Sequence, residues 1–147
     1  MKRIFVFIFA IGLSLSAIGS CGWGEEYNDG VYEGKSSVYS GDEDDGGAGY
    51  GVVTITIKDN LITACTFNTF EPDGTQKDEN YGKQNGEIAN RDYYNRAQRA
   101  LRANATYEKA IVAYGSLDKV DAVSGATISF GQFKEAVENA LQKAIKK

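Results

Sequence analysis

An α+β fold is what the sequence predicts: an antiparallel sheet with helices packed on one side. Three observations carry it. Residues 52–70 read as an alternating β-hairpin, residues 87–114 place apolar side chains at helical spacing, and residues 133–145 form one continuous apolar stripe of helical period. Strands grouped ahead of helices give a sheet with its helices on one face, rather than the interleaved order of a parallel α/β core.

The chain opens on a leader. Lys2 and Arg3 form a basic n-region, residues 4–17 an apolar h-region, and Ile18-Gly19-Ser20-Cys21 a small-residue cleavage site closed by cysteine. This order resembles a bacterial lipoprotein signal, in which Cys21 becomes the lipidated first residue of the mature protein; an ordinary secretory signal shares the n- and h-regions. The apolar run is short of the roughly 20 residues a membrane-spanning helix needs. Residues 1–20 are therefore read as signal peptide, 21–28 as tether and 29–147 as the folded domain.

Residues 30–39 read as a first strand, followed by a loop over 40–49 rich in Asp, Glu and Gly. Asp42-Glu43-Asp44-Asp45-Gly46 lacks the alternating oxygen ligands of an EF-hand, and Val53 stands where the bidentate Glu would be, so a solvated loop is expected and no metal. In residues 52–58, Val53, Ile55 and Ile57 fall on one side and Val52, Thr54 and Thr56 on the other. Asp59-Asn60 suits a two-residue hairpin turn. The return strand, 61–70, is expected to place Leu61, Cys65 and Phe67 on one face and Ile62, Ala64 and Phe70 on the other.

A polar loop over 71–86 holds the only proline, Pro72. Two helical segments follow, 87–102 and 104–114, with an Asn-containing break between them; Tyr93, Ala97, Ala100 and Leu101 recur as a core-facing stripe. In the last helix Phe133, Ala136, Val137, Ala140, Leu141, Ala144 and Ile145 form the apolar stripe, and Lys143, Lys146 and Lys147 sit where the helix dipole favours cations. Ser129, with Gln132 three residues on, fits a capping box at its start.

Composition excludes several classes of function. The 127 residues beyond the leader carry 14 basic and 20 acidic side chains, a net charge of −6, which argues against nucleic acid and against a basic membrane-binding surface. With no histidine, the chain has no Ser-His-Asp or Cys-His arrangement and no histidine metal site. If this chain takes part in redox chemistry, that chemistry belongs to a cofactor. Cys65, in a strand, reads as a small buried hydrophobe, and no disulfide is expected.

The stretch before the last helix is the most informative. Asp121-Ala122-Val123-Ser124-Gly125-Ala126-Thr127-Ile128-Ser129 is a small-residue turn ending in a hydroxyl at a helix start. Small side chains let a bulky group approach the backbone, and the helix supplies unpaired N–H groups and a positive dipole end where a phosphate would sit. These residues resemble the Asp-x-x-Ser-Gly-Ala-Thr flavinylation motif of the FMN-binding domain family. Gly30-Val31-Tyr32-Glu33-Gly34, Asp73-Gly74 and Lys77-Asp78-Glu79-Asn80-Tyr81-Gly82 are similar to the family's upstream segments, so the resemblance covers residues 28–146. That family includes the periplasmic flavin subunits of the sodium-translocating NADH:quinone reductase and the Rnf complex, and lipoproteins carrying electrons out of Gram-positive cells. The chain looks most like those lipoproteins.

The resemblance implies covalent FMN, joined by a phosphoester to Thr127. Asp121 would be read by a flavin transferase dependent on FAD and Mg2+, and Ser124, Gly125 and Ala126 would shape the turn. Ser129 would either bond the phosphate or cap the helix. Tyr81 would face the isoalloxazine ring. No catalytic residue is implied, since a threonine without a base is a poor nucleophile. The expected role is an electron carrier, lipid-anchored at Cys21 on the extracytoplasmic side of a bacterial membrane. It would take electrons from a membrane quinol or NADH dehydrogenase and pass them to an extracytoplasmic acceptor. A non-redox surface lipoprotein using the fold as a binding module is the alternative. A flavoenzyme, or subunit of an oxidoreductase complex, is a third reading.

Overall fold

A computed structural model describes residues 24–41 and 47–147; the leader, Cys21 and the acidic stretch 42–46 lie outside the described residues. Three strands, β1 (Gly30–Lys35), β2 (Tyr50–Lys58) and β3 (Leu61–Phe70), precede two helices, α1 (Arg91–Tyr114) and α2 (Thr127–Ala144), with a 3-10 turn at Leu117–Lys119 between them. The strands form one antiparallel sheet in the order β1-β2-β3. Both helices cover the face that carries Val53, Ile55 and Ile57, all buried. The α+β expectation holds.

Asp59 and Asn60 join β2 to β3 with φ of 50° and 62°, the left-handed pair that a two-residue hairpin turn of type I′ demands. Three details depart from the sequence reading. First, β1 ends at Lys35 rather than near 39. There the Ser36 hydroxyl accepts the Gly51 N–H at 2.9 Å, diverting the chain from the ladder until Tyr39 and Gly49 exchange both backbone hydrogen bonds at 2.8 Å.

Second, the register slips between Thr56 and Ile57: Thr56 pairs with Ala64 but Ile57 with Ile62. One extra residue in β3 reverses its alternation. Ile62 therefore faces the core together with Phe67 and the half-buried Cys65, while Leu61 is 41% exposed. Third, α1 is one helix of 24 residues. Asn104 lies inside it, buried, and bonds tertiary partners rather than competing for its own helix's backbone.

The α2 stripe is buried as expected, from Phe133 to Ala144. Phe133 anchors it, with ring centroids 5.1 Å from Phe67 and 5.4 Å from Tyr107. Against β1 the helix packs so closely that a Cβ on Gly34 would overlap the Ala136 carbonyl. The end of α2 is held by residues that read as tether. Tyr27 is 2% exposed, Asn28 N–H donates to Ala144 O at 2.8 Å, and Lys146 N–H donates to Glu26 O at 2.8 Å. The folded unit thus begins a few residues before 29.

Candidate functional site

The motif loop is built from below. Tyr107, fully buried on α1, accepts the Val123 N–H at 3.1 Å and donates its hydroxyl proton to Ala126 O at 3.3 Å. Burial raises the Tyr107 phenol, which stays a neutral donor. Between those two points the chain turns, with Ala126 N–H closing on Val123 O at 3.0 Å and Gly125 at φ 78°. A positive φ at this third turn position favours glycine. The space beside it is not the constraint, since a Cβ on Gly125 would meet only Arg99, at 3.7 Å.

Thr127 is the first residue of α2 and is exposed. Ala126 precedes it as N-cap without a capping side chain, and no acidic residue stands in the first turn. The first backbone bond of the helix is Phe130 N–H to Ala126 O, so the N–H groups of Thr127, Ile128 and Ser129 have no intrahelical acceptor. Ser129 is not the cap that its sequence context predicts. It lies in the first turn, buried, and donates to Asn104 Oδ1 at 2.7 Å, while Asn104 Nδ2 donates to Thr69 Oγ1 at 3.4 Å. Its capping-box partner Gln132 instead donates to Gly49 O at 3.0 Å. These two bonds join α2 to α1 and to the segment leading into β2.

Beside the helix start opens a cavity of about 330 Å³, within the range of small-molecule sites. Its floor is Thr69, Ser129 and Gln132, and Gly125, Ala126 and Thr127 form one rim. Tyr93, Ala97 and Ala100 form the α1 wall, so part of the stripe read as core-facing lines the cavity instead. Gly47, Lys77 and Tyr81 line it as well. Burial, and then a hydrogen bond to Tyr93, push the Tyr81 phenol well above its usual range. The Lys77 ammonium lies 4.6 Å from the Tyr81 ring centroid and donates to Gly47 O at 3.2 Å. Burial lowers its pKa to about 8, with Glu71 pulling weakly the other way.

The structure therefore gathers Gly125, Ala126, Thr127, Ser129 and Tyr81 around one cavity. Asp121 and Ser124 are exposed and outside its lining, and Cys21 lies outside the described residues. Sequence reasoning missed Lys77, Tyr107 and Asn104. Lys77 stood inside the Lys-Asp-Glu-Asn-Tyr-Gly segment and could have been taken with Tyr81; Tyr107 and Asn104 carry no local signal. Among the described residues no cluster could hold a metal, and Cys65 is a free thiol raised to about 12, chiefly by burial.

The cavity suits a flavin in its own terms: an aromatic and apolar wall, a buried cation, and an uncapped helix N-terminus beside an exposed hydroxyl. Comparison with known proteins agrees. The crystal structure of the CPE2226 protein from Clostridium perfringens is similar, at 25% identity and a TM-score of 0.58, over 80% of this chain and 88% of that one. No curated protein matches the sequence. Residues 46–142 match the FMN-binding domain, a span that contains every residue lining the cavity. The chain belongs to the FMN-binding domain family.

Proposed function

We propose that this protein is a covalently flavinylated electron carrier, with FMN esterified through its phosphate to Thr127. One observation carries the reading: the exposed Thr127 hydroxyl stands at the open N-terminus of α2, on the rim of the cavity. Bound FMN would supply the electron-accepting chemistry that the side chains lack. The chain's own part is to hold it. The N–H groups of Thr127, Ile128 and Ser129 and the helix dipole favour a phosphate at that end. Tyr81, Tyr93, Ala97 and Ala100 offer the ring a surface that sheds water.

Attachment needs help from outside. Among the described residues the histidine-free cavity offers no evident base for Thr127, which fits a role as substrate of a separate transferase. Thr127 Oγ would gain a bond to phosphorus as the diphosphate of FAD breaks and AMP leaves, its proton passing to a base of the Mg2+-dependent transferase. Asp121 and Ser124, exposed on the outside of the turn, are available for that enzyme to read. The leader supports export and anchoring at Cys21, with a membrane quinol or NADH dehydrogenase as donor and an extracytoplasmic acceptor. A covalent bond suits such a place, because a dissociable flavin would be diluted away.

The test is the intact mass of the exported protein co-expressed with a flavin transferase, beside Thr127→Ala. The expected result is a gain of one FMN less one water on the wild type alone. An unmodified wild type, with the transferase active on a control protein, would leave a binding module in its place.

A further inference from the structure

Lys77 is a buried cation that the attachment chemistry does not use. It is 9% exposed, follows β3 in the polar loop, and is anchored by its own N–H to Thr69 O at 2.9 Å. Its ammonium meets one carbonyl, Gly47 O, and one aromatic face, Tyr81, both on the cavity wall. Among the described residues no carboxylate comes within ion-pairing distance of it. Glu71 acts on it only through space; Tyr93 and Arg96 face the same cavity from α1, and Asp78, Glu79 and Glu108 share the groove on its other side. Among the described residues this buried charge therefore has little compensation, and such a charge is costly unless something completes it.

We propose that Lys77 is the electrostatic positioning residue for the flavin: its ammonium holds the ring against Tyr81 and favours the reduced form over the oxidised one. This rests on the flavin-carrier reading above. The argument is one of charge. Two electrons and one proton, delivered by the electron donor, leave one added negative charge on the cofactor. A fixed cation at the cavity wall stabilises that charge, and the water-poor surroundings strengthen the interaction. The Tyr81 ring and the bond to Gly47 O hold the ammonium at the cavity wall. Arg96, from α1, is the other cation lining the cavity among the described residues.

The experiment compares flavin-loaded wild type, Lys77→Gln and Lys77→Arg by redox titration, after intact mass has confirmed the flavin on each. Loss of the charge is expected to lower the preference for the reduced form about tenfold, about 30 mV for a two-electron couple, with Lys77→Arg recovering most of it. A second readout needs no variant. By reciprocity, the titration midpoint of the Lys77 ammonium, followed by NMR on lysine-labelled wild type, must rise by about one pH unit when the flavin is reduced. Unchanged potentials together with an unmoved Lys77 midpoint overturn the inference and leave the carrier reading intact. A wild type that takes no flavin overturns both.

Discussion

The two helices of this protein begin in opposite ways. α1 is closed at its start: the Asn90 side chain accepts the Tyr93 N–H at 3.0 Å, and Asp92 stands in the first turn. α2 begins on Ala126, with no side-chain cap and no acid in its first turn. Capping is worth about 1 kcal/mol, so leaving α2 open sacrifices stability. The tight packing of the rest of α2, from Phe133 to Ala144, compensates. On the proposed reading, the open end beside the cavity is where the phosphate would sit.

The comparison can be broken most sharply at Thr127. Thr127→Val should abolish the flavin mass gain completely while shifting the melting temperature of the unloaded protein by only a few degrees; residual loading would place the ester elsewhere. Next comes the support beneath the loop. Tyr107→Phe strands the Val123 N–H and should cost about 1–3 kcal/mol in denaturant unfolding. No loss would mean that the turn holds itself.

Lys77→Met should stabilise the unloaded protein by about 1–2 kcal/mol near neutral pH, because it removes a buried charge that among the described residues meets only one carbonyl and one ring. The sign follows from the lowered pKa. Between about 8 and its ordinary 10.5, Lys77 binds fewer protons folded than unfolded, so the wild type gains stability as pH rises through that window. The variant's advantage should shrink across the same range; an advantage flat from pH 7 to 11 would contradict it.

Smaller effects sharpen the contrast between the two helix starts. Asn90→Ala should cost about 1 kcal/mol and leave flavin loading unchanged. Thr127→Asp should do the reverse to the unloaded protein, adding roughly 0.3–1 kcal/mol through the helix dipole. If salt up to 1 M fails to erode that gain, the dipole is not its source.

What could be read from sequence was what repeats locally. The alternation of Val53, Ile55 and Ile57 and the period of the α2 stripe each report one buried face, and both held. What escaped depended on partners distant in sequence. The alternation of β3 reverses because of a bulge that nothing in Ile62-Thr63-Ala64 announces. Asn104 reads as a break because its helix propensity is poor, and Ser129 reads as a cap because of its position; each is satisfied by the other across two helices. The small-residue turn that carries Thr127 to the start of α2 was legible because it is contiguous. The cavity beside it was not, since its walls come from five separated stretches of chain.

The docking of Tyr27 and Asn28 against Ile145 and Ala144 also sets an orientation. Whatever precedes residue 26 leaves the domain at the far end of α2, and 18 helical residues span roughly 27 Å. A chain rooted in a surface through that segment would grip the molecule by its tail and hold Thr127 outward, like a lamp on a post. The length of α2 would then add to whatever reach the preceding segment gives.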